Sequence, residues 1–283
     1  MAVYSHSRIS TFENCPLQYR YRYIDKIKRD VEGVEAFVGK IVHEVLEELY
    51  ADTDHARGAG VDEFVALFED LWRRKLTPAV RIVRQEMTPE DYRSLGVRCV
   101  RTYYDRYHPF ESGEVLGREV RVDFSLDTEG RYKILGFIDR VDRTAPGVYE
   151  IHDYKTGALP RSGALKRDRQ LSLYEIAVRE RWEGVRQVRQ VWHYLAHDKE
   201  FVERRKTDDL AGTRLKTIRA IQEIEATTLF PPRRSPLCSW CEYKEICPEW
   251  VSVPATAAPR ATPPADVDPR SGQFLLFGGA TDT

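Results

Sequence analysis

The chain has 283 residues, of which 42% are hydrophobic and 11% aromatic, enough for one large domain with a substantial core. No stretch approaches the roughly 20 apolar residues of a membrane span, and no secretory signal is evident, so we expect a cytoplasmic protein without a membrane partner. The 44 basic and 45 acidic residues give a net charge of −1. This balance excludes a strongly basic protein, but it permits a local phosphate-binding patch.

The N-terminal part of the chain is predicted to be helical. Apolar residues recur there at helical spacing, and Ser7 or Ser10 is expected to cap the first helix. The predicted helices are Ser7–Ile27, Ala36–Tyr50, Asp62–Lys75 and Glu90–Tyr107. Residues 36–107 are therefore expected to form a helical portion that precedes the core.

The pattern changes to the alternation of strands after residue 113. Two of the elements that follow are predicted helices, Asp168–Trp182 and Asp208–Thr227. The predicted strands are Glu114–Leu126, Tyr132–Arg143, Val148–Tyr154, Val185–Ala196 and Glu200–Arg205. This order predicts an α/β core over residues 114–227.

An Asp-Tyr-Lys sequence ends the third predicted strand. Asp153 and Lys155 are two residues apart, so their side chains point to the same face of a strand. A carboxylate can bind a divalent cation, and a neighbouring ammonium group can orient an attacking water and offset charge on a phosphate. The alternative is a structural role, since an Asp near a strand end often caps a turn. Asp-x-Lys alone is also a common sequence.

Two other residues can converge on this carboxylate. Asp139 lies in the preceding apolar strand, where burial of a carboxylate is costly unless it meets a cation. If the two strands pair, Asp139 and Asp153 can share one metal ion, and His43 on the second helix can add an imidazole. We therefore expect a Mg²⁺ or Mn²⁺ site.

The ordered set of motifs resembles the RecB-like branch of the PD-(D/E)XK nuclease superfamily. Four motifs carry the resemblance: Gly39, His43 and Glu47 on a helix; Gly136-Phe-Ile-Asp-Arg-Val-Asp142; Asp153-Tyr-Lys-Thr-Gly157; and Gln170-Leu-Ser-Leu-Tyr174. The resemblance implies a restriction-endonuclease-like core, with a mixed central sheet flanked by helices and a helical N-terminal insertion.

The resemblance also implies roles for individual residues. The implied metal ligands are His43, Asp139, Asp153 and the main-chain carbonyl of Tyr154. The implied catalytic lysine is Lys155, and the residues that steady the site or the DNA strand are Gln170 and Tyr174. Glu47 and Asp142 are expected to support the ligands, and Glu119 on the preceding strand is an additional candidate.

The cysteines suggest a second metal site. Three of the five lie within ten residues, at Cys238, Cys241 and Cys247, and Cys15 lies far upstream. Four thiolates suit either a tetrahedral zinc ion or an iron–sulfur cluster, and spacing does not separate the two. Cys99 falls outside this pattern and is expected to be an ordinary thiol in a helix.

The cysteine arrangement is similar to that of the iron–sulfur members of the same superfamily, the AddB-type and CRISPR-associated exonucleases and exonuclease V. The similarity implies a [4Fe-4S] cluster on Cys15, Cys238, Cys241 and Cys247, which joins the two ends of a domain spanning residues 1–250. Loss of the cluster is expected to loosen the DNA channel before it affects the metal site.

Several segments are candidates for contacts with partners. Tyr19–Tyr23 alternates aromatic and basic residues, which suits either single-stranded DNA or an amphipathic helix with buried tyrosines. Further basic residues are Arg161, Lys166, Arg167, Arg169, Arg233 and Arg234. Residues 251–283 are predicted to be a disordered tail, and its peptide Gln273–Phe277 resembles motifs that bind the bacterial sliding clamp. The alternative is a tail that packs on its own domain.

Together these features predict a metal-dependent DNA nuclease, an exonuclease acting on single-stranded ends. DNA repair, recombination or CRISPR adaptation is the expected setting, and any helicase would be a separate chain. One alternative is a non-catalytic DNA-end binder or clamp-associated scaffold. Such a protein is expected to lack a carboxylate or the lysine, and none is missing here. Another is a zinc-containing RNA-processing enzyme.

Overall fold

The computed structural model describes residues 2–251; the tail from residue 252, with the peptide Gln273–Phe277, lies outside the described residues. The helices are α1 (His6–Asn14), α2 (Pro16–Tyr19), α3 (Val34–Leu49), α4 (Thr53–Gly58), α5 (Val61–Lys75), α6 (Pro89–Tyr107), α7 (Arg169–Arg181) and α8 (Thr207–Ala226). The strands are β1 (Val3–Tyr4), β2 (Glu32–Gly33), β3 (Val80–Arg81), β4 (Glu114–Ser125), β5 (Lys133–Ala145), β6 (Val148–Lys155), β7 (Gln187–Tyr194) and β8 (Lys199–Glu203). The predicted α/β core is confirmed, and within the described residues no helix is long and apolar enough to cross a membrane.

The predicted helix Ser7–Ile27 begins earlier than expected and is interrupted. Its cap is Ser5, whose side chain accepts a hydrogen bond from the Arg8 main chain, so the prediction of Ser7 or Ser10 as the cap was wrong. The interruption falls at Cys15, which is extended because the next residue is a proline. Helical structure then resumes in α2 and continues in a π-helical turn, Arg20–Ile24.

Six strands form one mixed sheet. β4, β5 and β6 follow each other antiparallel, β7 is parallel to β6, and β8 is antiparallel to β7. β1 is parallel to β5 and pairs with it at Lys133 and Ile134. Because β4 occupies one edge of β5 along nearly its whole length, β1 and β6 share the other edge.

Hydrophobic cores cover the two faces of this sheet. One core packs α1, α7 and α8 against residues such as Ile138 and Ile151. The other packs α3, α5 and α6, which we call the helical lobe, against Tyr154 and Leu195. Alternate residues of a strand face opposite sides, so Ile151 and Tyr154 belong to different cores.

Close packing within the helical lobe makes a testable prediction at Gly96. A β-carbon at this position would lie 2.1 and 2.4 Å from two ring atoms of Phe68, a side chain with no exposed surface. We expect Gly96→Ala to lower the free energy of unfolding by about 1–3 kcal/mol, because the ring has no space to move into.

Gly212 in α8 provides the control, because a β-carbon there would meet no atom within 4 Å. Gly212→Ala is expected to stabilise the protein by roughly 0.5–1 kcal/mol through helix propensity. Urea unfolding measures both variants. Equal, favourable changes in the two would contradict the packing described at Gly96.

Candidate active site

The central strands separate at the position of two sequence-predicted carboxylates. β5 and β6 pair from Ala145 with Val148 as far as Arg140 with His152. Beyond that point, β6 continues beside β7 while the free edge of β5 meets β1 only at Lys133 and Ile134. Among the described residues, this edge of β5 has no strand partner over 135–139. We call this opening the fork; Asp139 lies on one side of it and Asp153 on the other.

Asp139 closes the base of the fork with its side chain. Its Oδ2 accepts a hydrogen bond of 2.8 Å from the main-chain N–H of Tyr154. The carbonyl of Tyr154 is 2.8 Å from His43 Nε2, and His43 Nδ1 is 3.5 Å from Asp139 Oδ2. His43, Asp139 and the Tyr154 main chain, predicted from separate motifs, therefore lie together.

The tautomer of His43 follows from its partners. A carbonyl can only accept, so Nε2 carries the proton and donates to Tyr154. Burial lowers the pKa of His43, which favours the neutral ring with a lone pair on Nδ1. That lone pair and the Asp139 carboxylate lie close together, which is the arrangement of a metal-ligating histidine with its other nitrogen bound to a carbonyl.

Glu119 completes a possible ligand group. One oxygen of its carboxylate, one of Asp139 and a ring nitrogen of His43 all lie within 4.8 Å of one another. Glu119 has a left-handed backbone with φ of 44°, which is costly for a residue with a side chain. Strain of this kind at a carboxylate facing a histidine fits a functional constraint. From the sequence alone Glu119 is only an additional candidate, because a single acid in an alternating strand is ordinary.

Asp153 is paired with the predicted catalytic lysine. Lys155 Nζ lies 2.9 Å from Oδ1 and 2.7 Å from Oδ2 of Asp153. Gln170 Nε2 donates to Asp153 Oδ1 at 3.2 Å, and Gln170 Oε1 accepts from Lys155 at 3.4 Å. The three residues therefore form one closed group across β6 and α7.

Burial acts in opposite directions on the pKa values of the acid and the base in this group. Burial raises the pKa of Asp153 to about 7, although the Lys155 ammonium opposes that rise. Burial lowers the pKa of Lys155, but the Asp153 carboxylate outweighs it and leaves this pKa above its usual value. Burial disfavours the charged form of this carboxylate, so the carboxylate gains from a neighbouring cation.

Tyr174 lies behind the same group. A β-carbon on Gly136 would come within 2.6 Å of Tyr174 Cε1, so glycine at this position makes room for the ring. Burial raises the pKa of the Tyr174 hydroxyl. The tyrosine is thus a neutral group packed against β5.

Comparison with known protein families identifies the superfamily of this chain. A family model described as the PD-(D/E)XK nuclease superfamily matches residues 3–248. The chain belongs to this superfamily. Its members are nucleases that hydrolyse phosphodiester bonds and use divalent metals such as Mg²⁺ or Mn²⁺. His43, Glu119 and Asp139 offer one nitrogen and two carboxylate oxygens, a donor set that suits such an ion.

Two solved structures are similar in overall path. One is SSO0001, with 14% sequence identity, a TM-score of 0.42, and coverage of 88% of this chain and 87% of that chain. The other is a "Putative exonuclease" from Eubacterium rectale, with 15% identity, a TM-score of 0.49, and coverage of 85% and 87%. No curated protein matches this nuclease with significance.

A buried arginine of the nuclease motif holds β5 to β6 behind the fork. Arg140 Nε lies 3.0 Å from Asp142 Oδ1, and Nη1 donates at 2.8 Å to the hydroxyls of both Tyr103 and Tyr154. The guanidinium also lies 3.7 Å from the centre of the Tyr50 ring. Arg140 therefore joins the two strands to α3 and α6 of the helical lobe.

Two stacked histidines extend this polar group. His152 Nε2 is 3.1 Å from Asp142 Oδ2, and His152 Nδ1 is 2.9 Å from His193 Nε2. Tyr107 links His193 to the partly exposed Glu200. Burial lowers the pKa of both histidines, so neutral rings connect the interior to the surface.

The basic and aromatic residues near the N-terminus that were candidate DNA contacts mostly contact other parts of the protein. Tyr19 is 2% exposed and packs against Phe12, Tyr23 and Phe230. Arg22 pairs with Glu242. The structure therefore favours the interpretation of Tyr19–Tyr23 as an amphipathic segment with buried tyrosines.

The four predicted cluster cysteines line one cavity between α1 and the C-terminal segment. A main-chain N–H approaches each sulfur: that of Arg233 at Cys15 and that of Ser235 at Cys238, both at 3.4 Å, with those of Tyr243 and Glu249 at Cys241 and Cys247. Such donors favour thiolates, and four sulfurs that line one cavity fit a metal group, although burial outweighs the donors and raises the pKa of Cys241 to about 12 and that of Cys247 above its usual value. Cys99 lies outside this cavity; it is fully buried in α6, and burial raises its pKa to about 12 as well.

The buried ion pair behind the fork yields a prediction about stability. Asp142 and Arg140 are 1% and 2% exposed, and removal of one charge leaves the other without its partner. We expect Asp142→Asn to lower the free energy of unfolding by about 3–5 kcal/mol.

Asp123 is the matched control, because its carboxylate pairs with Arg121 at 3.3 Å but is half exposed. Asp123→Asn is expected to change stability by about 1 kcal/mol or less. Chemical denaturation measures both. If the Asp142 variant were as stable as the control, the buried network would not hold the strands together.

Proposed function

We propose that this nuclease is a metal-dependent deoxyribonuclease, an exonuclease that cuts from single-stranded ends. The observation that carries the proposal is the fork, where the Asp153–Lys155 pair faces the group of His43, Glu119 and Asp139. Carboxylates, an imidazole and an ammonium group in one buried opening suit hydrolysis of a phosphodiester better than binding alone.

Each residue of the fork has a distinct task in this proposal. A divalent ion held by His43, Asp139 and Asp153, with Glu119 as a further ligand, would supply a polarised water and offset charge on the phosphate. Lys155 would stabilise the negative charge that develops on the phosphate oxygens, since it remains an ammonium group beside Asp153. Gln170 fixes the orientation of both side chains. The expected products carry a 5′-phosphate and a 3′-hydroxyl.

The Tyr154 main chain supports the ligands on both sides. Its N–H fixes the Asp139 carboxylate, and its carbonyl accepts from His43. In this arrangement the carbonyl orients the imidazole through one lone pair, and its second lone pair can serve as the further ligand that the motif implies. Tyr174 packs against β5 and steadies the group from behind.

Basic side chains beside the fork suit a DNA strand. Arg161, Lys166 and Arg167 lie in the segment that joins β6 to α7, after the catalytic lysine, and all three are exposed. Phosphates bind such local patches even when the net charge is near zero.

The biological setting follows from the resemblance to iron–sulfur nucleases. DNA repair, recombination or CRISPR adaptation is the proposed context, with a helicase as a separate partner. Sliding-clamp binding through Gln273–Phe277 is a further proposal, which rests on the sequence alone. A non-catalytic scaffold is disfavoured by the complete set of carboxylates and lysine in the fork.

Substitution of Asp153 tests the catalytic assignment. We expect Asp153→Ala to abolish cleavage of end-labelled single-stranded DNA in Mn²⁺, because it removes a metal ligand and the partner of Lys155. DNA binding, measured by fluorescence anisotropy, is expected to stay within about threefold of wild type, since phosphate contacts with exposed cations persist.

Glu129 is the control carboxylate, exposed in the turn between β4 and β5. Glu129→Ala is expected to cleave at the wild-type rate, and circular dichroism checks that both variants are folded. Undiminished cleavage by the Asp153 variant would refute the site. A wild-type protein that binds DNA but cleaves none in any divalent metal would favour the scaffold.

We propose a [4Fe-4S] cluster at the cysteine site. Its support is the cavity shared by the four cysteines and the main-chain donors at their sulfurs, together with the resemblance of the spacing to iron–sulfur nucleases. Bound thiolates would join α1 to the C-terminal segment. A zinc ion on the same residues is the alternative.

Metal analysis of cysteine variants tests this proposal. Cys241→Ala is expected to lose iron and to lower the unfolding midpoint together, because the cluster closes the domain. Cys99→Ala, which alters a buried thiol outside the site, is expected to keep its iron. Anaerobically purified protein with stoichiometric zinc and no iron, or an iron-replete Cys241 variant, would refute the cluster.

A further inference from the structure

Helix α1 is fixed to the cysteine site at its C-terminal end. Cys15 follows the helix directly, and its main-chain N–H donates to Thr11 at 2.9 Å. The Arg233 main chain donates to Cys15 Sγ at 3.4 Å, and the Arg233 guanidinium donates to the carbonyl of Glu13. The position of Glu13 is therefore set by the segment that carries the other cysteines.

Glu13 in turn holds the first residue of α7. Its two carboxylate oxygens accept from Arg169 Nη1 at 2.7 Å and Nη2 at 2.6 Å, and Ser10 Oγ accepts from Nη2 at 3.3 Å. Both acceptors belong to α1. The Arg169 side chain is 17% exposed, and its Nε is buried with no hydrogen-bond partner among the described residues. Arg169 thus depends on α1 for its charge partner.

The next residue of α7 belongs to the catalytic group. Gln170 bonds to both Asp153 and Lys155, and Asp168 caps the helix by accepting from the Leu171 main chain at 2.8 Å. A displacement of Arg169 would shift the first turn of α7. Such a shift would move Gln170 relative to the Asp153 carboxylate.

We propose that Glu13 and Arg169 form a positioning pair that transmits the placement of α1, fixed at the cysteine site, to the catalytic Asp153–Lys155 pair. This inference rests on the proposed nuclease function and deepens it. It also revises the expectation that loss of the cluster affects only the DNA channel at first. A continuous series of contacts runs from Cys15 to Asp153 through Glu13, Arg169 and Gln170.

The pair differs from an ion pair that serves stability. The Glu13 side chain is 47% exposed, and such pairs contribute little to the free energy of unfolding. A bidentate carboxylate nevertheless fixes the plane of a guanidinium, which a single charge contact does not. Its loss is therefore expected to change the geometry of the site more than the stability of the fold.

Glu13→Gln tests the pair, with Asp62→Asn as the matched control. Asp62 is exposed in the helical lobe and pairs with Arg101 at 2.7 Å. Three quantities are measured for each protein: kcat and KM on single-stranded DNA, the Kd for Mn²⁺ by calorimetry without DNA, and the unfolding midpoint. Glu13→Gln is expected to lower kcat and weaken Mn²⁺ binding by about tenfold each, the size typical of residues that support metal ligands.

The other quantities separate positioning from alternatives. The unfolding midpoint and KM of Glu13→Gln are expected to match those of the control, which itself behaves as wild type. Unchanged kcat and Mn²⁺ affinity would overturn the proposal. A rise in KM alone would also overturn it, because Arg169 would then act as a DNA contact.

Cys15→Ser, alone and combined with Glu13→Gln, tests the direction of the coupling. Loss of iron in Cys15→Ser is expected to weaken Mn²⁺ binding. The double variant is expected to bind Mn²⁺ no more weakly than the more affected of the two single variants. If the loss of Mn²⁺ affinity in the double variant equalled the product of the two single losses, the two positions would act independently and the link would be overturned. Wild-type protein that binds Mn²⁺ but cleaves no DNA would refute the proposed function, while the Mn²⁺ affinities would still decide the role of the pair.

Discussion

The buried guanidinium of Arg140 is the contact on which the geometry of the fork depends. It lies where β5 and β6 last pair, and it bonds to side chains of both strands and of the helical lobe. A charge in this position is costly unless its hydrogen bonds are satisfied, and Asp142, His152 and the hydroxyls of Tyr103 and Tyr154 satisfy them. Because the strands are held here, they can separate immediately beyond it without loss of register.

The opening beyond Arg140 meets two opposing requirements, those of a paired sheet and those of a metal site. A sheet normally pairs its main-chain groups, whereas a metal site needs carboxylates that face each other across a gap. Here the Asp139 side chain takes the Tyr154 N–H that a paired strand would have bound. The same residue therefore satisfies a main-chain donor of the sheet and places a carboxylate oxygen beside His43. Glu119, whose backbone is strained, adds a carboxylate oxygen from the neighbouring strand β4 to the potential ligand atoms of His43 and Asp139.

Much of this arrangement could be predicted from the sequence. The order of helices and strands follows from apolar periodicity. Asp139 stands out because a carboxylate within an apolar strand is costly to bury without a cation, and Asp153 and Lys155 stand out because they share one face of a strand. Family resemblance added Gln170 and Tyr174. The break at Cys15 was missed, although Pro16 is the local signal that explains it.

Other features depend on contacts that no local pattern encodes. Glu119 joins His43 and Asp139 only because β4 carries a left-handed residue at that position. Arg169 was predicted as a phosphate contact, yet in the fold it pairs with Glu13, more than 150 residues earlier. Likewise, the tyrosines of Tyr19–Tyr23 alternate as a stacking surface would, but Tyr19 packs inside the protein. Such partners are set by tertiary packing, so they appear only in the folded chain.

The most direct test of the account is cleavage of 5′- and 3′-labelled single-stranded DNA by anaerobically purified protein, with Mn²⁺ or with EDTA. A metal-dependent exonuclease centred on the fork is expected to cleave in Mn²⁺ but not in EDTA, and to release short labelled products first from one end only, which gives the polarity. Cleavage that persists in EDTA, or none in any divalent metal despite bound DNA, would contradict a metal-dependent nuclease centred on the fork.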